Sequence, residues 1–479
     1  MGKSKSGVTV SFGHNSENVT GSYTLIECND TGQKILVDFG MIQENGSLLN
    51  EYKLNSQRPD FKPKDISYIF ITHAHQDHIG RLQMLYKWGC NAPIIAPEGS
   101  KDLLQAMMED SLHIVTRDAE DLTKKLKKEY EPLFTDQEVD KALSMIRTSK
   151  IGVKTRLNDN IEYQLNNNGH IFKSVSITFW IKTKSGSVKK IIVSGDLGNL
   201  SCPSKFTEDF VPFENCNLLV GESTYGDQRR SCSKQDRTKD LEKLKASIET
   251  ICEDRKGRVL IPVFAFGRSP SILATLYDLF GDREDFNIPI IYGSPLGVRL
   301  LEIFLKELPK EKGEYLQKVL RWRNVKIVGS FAELEHEVAD NKPKIFCLPS
   351  GMMNSSYSVY TATKLLPHSN DGIIFVGYAV EGSLARKIKD KKTKTVTIDG
   401  KSINARCSVV NLKSFSSHAQ YNDLISMYAN STLFVDKIAL VHGDQEVKIK
   451  FGEKLKEEYE RQNKTTKVVI ANKSTKINI

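Results

Sequence analysis

Along the first two hundred residues, short apolar runs alternate with polar turns. "GVTVSF", "SYTLIEC", "KILVDFG", "ISYIFITH", "SVSITFWIKT", "KKIIVSG" and "NLLVGES" are rich in β-branched or aromatic residues and bounded by Gly, Asn, Asp or Ser, which predicts strands. Between residues 97 and 150 the apolar spacing changes to three and four, in "EGSKDLLQAMMEDSLHI" and "TDQEVDKALSMI", and predicts helices. From about residue 226 the rhythm becomes a strict alternation. A helix carrying Leu241, Leu244, Ile248 and Ile251 precedes "RVLIPVF", and "IPIIYG", "NVKIVGS", "PKIFCLPSG" and "GIIFVGYAV" follow with helical segments between them. In "GRSPSILATLYDLF", Ser269 and Pro270 fit an N-cap and a first helical position. Apolar strands alternating with helices predict a parallel sheet covered on both faces. After "KKTKTVTIDG" short strands return, and "KVVIANKSTKINI" reads as a closing strand pair. One domain is therefore expected inside another, with segments 1–225, 226–395 and 396–479.

Composition adds limits rather than detail. A chain of 479 residues is long enough for two or three sizeable cores. With 39% hydrophobic and 27% charged residues it has the balance of a soluble globular protein. A net charge of +9 is compatible with a polyanionic partner without requiring one. The eight cysteines form no CxxC pair, which argues against a zinc finger or disulfide scaffold and for a reducing compartment. No apolar stretch approaches the roughly 18 residues of a membrane span, and no signal-peptide pattern opens the chain. The start "MGKSKS" fits a myristoylation pattern only loosely and runs at once into "VTVSF". A cytoplasmic location is expected.

Histidine placement changes the picture most. "ITHAHQDHIG", residues 71–80, holds His73, His75, Asp77 and His78 directly after a predicted strand. His170 in "NNNGHIF", His418 in "SFSSHAQ" and His442 in "LVHGD" also lie at strand ends or just beyond, where a rigid sheet can present ligands to a shared cleft. Asp196 of "IVSGDLG" has the same address, and a carboxylate there needs a cation, a donor or water. Positions two apart share a side in an extended segment, so His73 and His75 can grip one ion while Asp77 and His78 turn toward a second. With His170, His442 and a bridging Asp196, two metal shells fill with imidazole and carboxylate. That mix suits two zinc ions, with manganese less favoured. Two such ions, roughly 3.5–4 Å apart, acidify a shared water and clamp the oxygens of an in-line phosphoryl displacement. The isolated His14, His113, His336 and His368 read as solvated loop residues.

The ordered motifs resemble a known family. HxHxDH after a strand, with the later Gly-His, Gly-Asp and final His, resembles the metallo-β-lactamase fold, a four-layer αββα sandwich. Asp38 of "LVDFG" matches that fold's first motif, a carboxylate that supports the ligand loop from behind. "GESTYGDQRR" resembles the first β-CASP motif at Glu222, "SFSSHAQ" the second at His418 and "LVHGD" the third at His442. "RVLIPVFAFGRSPSIL", "LPSGM" and "IIFVGYAVEGSLARKI" look like the body of an inserted α/β (parallel-sheet) β-CASP domain, so the resemblance spans nearly the whole chain. The chain departs from the usual pattern where "MMNSSYSV" lacks paired glycines, Lys173 replaces a glycine, and "GSLAR" replaces "GTLGR".

The resemblance implies a ribonuclease related to the stand-alone β-CASP ribonucleases of bacteria and archaea, to RNase J, and to the endonuclease subunit of the mRNA cleavage and polyadenylation machinery. In this group the third-motif position is histidine in RNA-processing members and typically valine in Artemis-type DNA nucleases, so His442 favours RNA. The implied mechanism is attack on phosphorus by hydroxide bridging two zinc ions. His418 serves as general acid, oriented by Glu222, and Asp77 counts with them among the catalytic residues. Products would carry 5′-phosphate and 3′-hydroxyl ends. Arg229, Arg230 and Arg268 are candidates for RNA phosphates, whereas "KIKDKKTKT" reads as a solvated charge run. The expected substrate is single-stranded RNA, with a homodimer or a protein partner possible and endonuclease against 5′-exonuclease action left open. Competing readings are a DNA nuclease on the same fold, a small-molecule hydrolase, and a non-catalytic RNA-binding or scaffold subunit. The hydrolase would leave the Glu222–His418 pair unexplained. The scaffold would be expected to lose ligands, and all seven are filled.

Overall fold

The computed structural model of the chain describes residues 6–43, 47–227, 232–353, 356–377, 379, 383–390, 394–398 and 400–479. Two compact units emerge, one formed by Met1–Pro203, Thr207–Ser231 and His418–Ile479, the other by Ser204–Phe206 and Cys232–Ser417.

Among the described residues, the first unit contains two seven-stranded sheets. One runs in the order Lys476–Asn478, Val8–Phe12, Thr24–Cys28, Gln33–Val37, Tyr68–Phe70, Ile94–Pro97, Ile146–Ser149. The other runs Lys467–Ile470, Val435–Val441, Cys216–Glu222, Val188–Val193, Val175–Lys182, Ile161–Asn167, Thr155–Arg156. Their inner faces share a single core, in which Val10, Ile26 and Ile35 join Ile177, Ile191 and Leu218, and the rings of Phe70 and Phe179 meet with centroids 4.9 Å apart. Alternation builds this core: Ile161, Tyr163 and Leu165 point inward, with half-buried residues between them.

Helices supply the outer layers of the αββα sandwich. Tyr421–Tyr428 and Gln445–Arg461 press Leu424, Phe451 and Leu455 onto Ile192, Leu219, Ile438 and Leu440 of the second sheet. Lys101–Leu126, which follows the strand Ile94–Pro97, buries Leu103, Leu104, Met107, Met108, Val115 and Leu122 at the spacing of one helical face.

The end of the chain differs from the expected strand pair. Lys467–Ile470 pairs with Val435–Val441, whereas Lys476–Asn478 pairs with Val8–Phe12 in the opposite sheet. Residues 471–475 carry the chain from one sheet to the other, with Ala471 and Ile477 both in the shared core.

Among the described residues, the second unit contains a parallel six-stranded sheet in the order Val325–Ile327, Ile290–Tyr292, Ile345–Leu348, Val259–Pro262, Gly372–Phe375, Ser408–Asn411, and an antiparallel pair, Thr395–Ile398 with Lys401–Asn404. The last strand corrects the expected boundary at residue 395. Ser408–Asn411 pairs in parallel with Gly372–Phe375, so the inserted unit runs on to Ser417. Only four residues long and half-buried throughout, it carries little apolar signal. The helix Arg268–Phe280 also starts earlier than expected. Gly267, at φ +88°, ends the preceding loop, and Ser269 lies within the first turn, its hydroxyl donating to the Phe264 carbonyl at 2.6 Å. Pro270 is accommodated because first-turn N–H groups have no helical acceptor.

Of the isolated histidines, His113, His336 and His368 are exposed, the first two on helices. His14 is not solvated. It is buried in a 3₁₀ turn, with Nε2 3.0 Å from Asn18 Nδ2.

Candidate metal centre

The strands of the first unit bring the candidate ligands to one edge. Val188–Val193, Cys216–Glu222 and Val435–Val441 are parallel neighbours, so Asp196, Glu222 and His442 all occur at or just past their carboxyl ends. The turn between the antiparallel strands Ile161–Asn167 and Val175–Lys182 adds His170 at the same edge. In the other sheet Val37 pairs with Phe70, which places Asp38 beside the loop that carries His73, His75, Asp77 and His78. A hydrogen bond from Val175 N to the Thr72 carbonyl, 2.8 Å, ties the two sheets together there.

Asp38 organises the histidine loop. Its carboxylate accepts from Thr72 N at 2.8 Å, from the Thr72 hydroxyl at 2.7 Å and from His78 Nδ1 at 2.8 Å. An ionised carboxylate only accepts, so His78 carries its proton on Nδ1 and turns Nε2 inward. Asp38 adopts φ +61°, a conformation Asp reaches more easily than most residues. Gly40 lets the two loops touch: a Cβ there would lie 1.6 Å from the Asp77 carbonyl oxygen. That oxygen accepts from Ser22 N at 2.8 Å, and Phe39 N donates to the His78 carbonyl at 2.8 Å.

Two donor groups result. His73, His75, His170 and Asp196 form one, and Asp77, His78, Asp196 and His442 the other, each with ligand atoms within 4.8 Å of one another. Asp196 belongs to both. Its Oδ2 lies 3.7 Å from Nε2 of His73 and 3.7 Å from Nε2 of His170, and its Oδ1 lies 3.3 Å from His78 Nε2 and 3.3 Å from His442 Nδ1. Asp77 Oδ2 is 3.4 Å from His442 Nε2 and 3.9 Å from His78 Nε2.

The electrostatics of the two groups differ. Burial, reinforced by repulsion from neighbouring imidazoles, pushes His73 and His170 well below the ordinary histidine range, and burial brings His75 to about 4. For His78 burial acts the same way but is overcome by Asp196, Asp38 and Asp77, which hold it well above that range. His442 is likewise raised against burial by Asp196 and Asp77. Burial would raise the Asp196 carboxyl, yet His442 and His78 hold it well below the carboxylate range.

Whether these residues fit a metal is tested by their unmet donors and acceptors. Both ring nitrogens of His170, Nε2 of His78 and Oδ1 of Asp196 are buried without a hydrogen-bond partner among the described residues. Four such atoms in one site are costly unless something binds them, and a divalent cation satisfies nitrogen and carboxylate lone pairs together. The donor set, five imidazoles and two carboxylates, therefore fits zinc-type coordination.

His418 stands beside the first group. Its Nδ1 is 3.3 Å from Glu222 Oε1, its Nε2 is 3.9 Å from Asp196 Oδ2, and its ring centroid is 4.4 Å from that of His170. Glu222 is buried and held by Leu197 N and Thr224 N, each at 2.9 Å, while Ala419 N donates to the Leu197 carbonyl at 2.7 Å. Sequence reasoning missed the supporting hydroxyls and amide. Thr72 serves Asp38, and the Thr224 hydroxyl sits 3.0 Å from His442 Nδ1. Asn168 accepts from His170 N at 3.3 Å and from the Ser174 hydroxyl at 2.6 Å. The available signal is position, since Thr72 directly precedes a candidate ligand and Thr224 follows Glu222 by two.

The family departures have backbone counterparts. Lys173, where a glycine is usual, has φ +58°, and Met353, in the segment lacking paired glycines, has φ +56°. Arg268 opens its helix in the second unit, half-buried, its guanidinium 4.9 Å from the Phe264 ring centroid. Arg229 and Arg230 lie outside the described residues.

Comparison with known proteins finds three family matches along the chain. The model of the metallo-beta-lactamase superfamily matches residues 17–142, that of the Beta-Casp domain residues 271–388, and that of the Zn-dependent metallo-hydrolase RNA specificity domain residues 402–469. A ribonuclease of Thermus thermophilus is 27% identical over 91% of this chain and 93% of its own length. The transcription termination factor FttA of Methanocaldococcus jannaschii is 26% identical over 95% of this chain and 70% of its own. An RNase J-like protein of the same archaeon is 25% identical over 89% and 91%. With fold, motif order and all three domain matches in agreement, the chain belongs to the β-CASP family of the metallo-β-lactamase superfamily.

Proposed function

We propose that this protein is a ribonuclease that hydrolyses RNA phosphodiesters with two zinc ions. One would be held by His73, His75, His170 and Asp196, the other by Asp77, His78, Asp196 and His442. The observation that carries this reading is the double membership of Asp196 with the His418–Glu222 pair alongside. Relatives named as a ribonuclease and as an RNase J-like protein, and the RNA specificity domain over residues 402–469, support RNA as substrate. When bound, such ions acidify water and neutralise charge on phosphoryl oxygens.

The chain's own residues do the rest. Glu222 accepts from His418 Nδ1, so in the imidazolium form the proton available for transfer sits on Nε2, the nitrogen facing Asp196. His418 hands that proton to the departing ribose oxygen, which leaves 5′-phosphate and 3′-hydroxyl ends. Asp77 and Asp38 hold His442 and His78 in their orientations. Arg268, with Arg229 and Arg230, is assigned to backbone phosphates of a single strand.

The test compares two substitutions. His418→Ala should keep zinc at the wild-type ratio and lose cleavage of a labelled RNA, whereas Asp196→Ala should lose both. Cleavage by His418→Ala at the normal rate would sink the assigned role.

A further inference from the structure

The second unit carries a cavity of about 680 Å³ between the end of the helix Arg268–Phe280 and the helix Lys310–Leu320. None of its lining belongs to the metal centre. Tyr277 and Trp322 form an aromatic wall, edge to face with centroids 5.5 Å apart, and the half-buried indole lies parallel to buried Phe286. Lys318, Arg321 and Arg323 border it, and four cations face two carboxylates around the whole lining.

Internal pairing leaves several of these groups available, although one Arg323 nitrogen also donates to the Glu284 carbonyl. Arg283 is committed to Glu249, Glu253 and Asp285, and Glu314 lies within ion-pair reach of Lys310. Among the described residues, the Arg321 guanidinium, the Gln317 amide and the Trp322 indole N–H have no side-chain or backbone partner. A ligand that uses all of them needs negative charge, a flat apolar face and hydrogen-bond acceptors.

We propose that this cavity is a second binding site for single-stranded RNA, taking a base against Tyr277 and Trp322 and the flanking phosphates on Lys318, Arg321 and Arg323. The inference deepens the ribonuclease reading and rests on it for the choice of polymer. Stacking against aromatic rings accepts any base, and cations that displace counterions from phosphates make such binding sequence-tolerant and salt-sensitive. An acidic peptide would engage the cations but leave the ring wall and the indole donor unused.

The experiment measures the anisotropy of a fluorescent single-stranded RNA on full-length protein carrying His418→Ala, so that the strand stays whole. Adding Arg321→Glu and Arg323→Glu should weaken binding at least tenfold. The slope of log affinity against log salt should become shallower by about 1.4, at roughly 0.7 per lost phosphate contact. If the double reversal lowers thermal stability, Arg321→Gln replaces it, with a severalfold loss expected. Separately, Trp322→Phe should abolish RNA-induced quenching of tryptophan fluorescence while Trp88 and Trp180 remain. Unchanged affinity and slope would overturn the proposal, as would poly-glutamate displacing the RNA with equal affinity. Cleavage by protein with intact His418 is scored apart. No RNA cleavage with a persistent charge-reversal effect sinks the ribonuclease reading alone, and cleavage with no charge-reversal effect sinks the second site alone.

Discussion

Asp38→Asn turns one oxygen into an NH₂ group and leaves size almost unchanged. Asn also tolerates the φ of +61° found here, so the backbone is spared and the effect falls on hydrogen bonds. The carboxylate accepts three of them, from Thr72 N, from the Thr72 hydroxyl and from His78 Nδ1. With the amide oxygen kept on Thr72 N, the amide nitrogen faces the other two. The Thr72 hydroxyl can rotate and accept, but His78 Nδ1 then meets a donor, and its proton must move to Nε2. That nitrogen lies 3.3 Å from Asp196 Oδ1 and is the one assigned to the metal. A ring protonated there cannot coordinate, and forcing the original tautomer leaves a buried donor clash of about 1–3 kcal/mol. Loss of such outer support typically weakens metal affinity by about 10–100-fold, or roughly 1.4–2.7 kcal/mol, in the same range. Calorimetric titration of metal-stripped protein with zinc should show one of two sites weakened by that factor, with the far-ultraviolet spectrum unchanged. Nitrogen NMR should report the shifted tautomer at His78. Two zinc sites of unaltered affinity in Asp38→Asn would refute the reasoning.

Gly40→Ala should be harsher. Its Cβ would lie 1.6 Å from a backbone oxygen of Asp77, so the ligand loop itself must shift, and zinc retained after gel filtration should fall well below the wild-type ratio. Lys448 offers a pH test away from the candidate metal centre. It is buried, donates to the carbonyls of Ser16 and Ala471, and is lowered by burial to about 8. Between that value and its unfolded value near 10.5 the unfolded chain binds the extra proton, so this group's contribution to stability rises with pH, by at most about 1.4 kcal/mol per unit. The melting temperature of wild type minus that of Lys448→Met should therefore increase from pH 7 to pH 10; a flat or falling difference contradicts the assignment.

How much of this was legible in the sequence depends on what kind of fact was being read. Residue type and strand-end position carry a ligand list, because histidine and aspartate are seldom placed together after apolar strands without cause. That pattern singles out His73, His75, Asp77, His78, His170, Asp196 and His442, and the fold brings them together. The groups that hold them were hidden, because their meaning lies in partners far along the chain. Thr224 reaches His442 across 218 residues, and Thr72 reaches Asp38 across 34. A threonine beside a motif looks the same in sequence whether or not such a partner arrives. The missed boundary at Ser417 has a similar cause, since a half-buried four-residue strand belongs to a sheet only through its neighbour. The distinction matters for the chemistry. A list of donors is equally compatible with a hydrogen-bonded cluster that needs no metal, and it is the folded arrangement, with both ring nitrogens of His170 buried without a hydrogen-bond partner among the described residues, that favours a coordination site over a satisfied polar core.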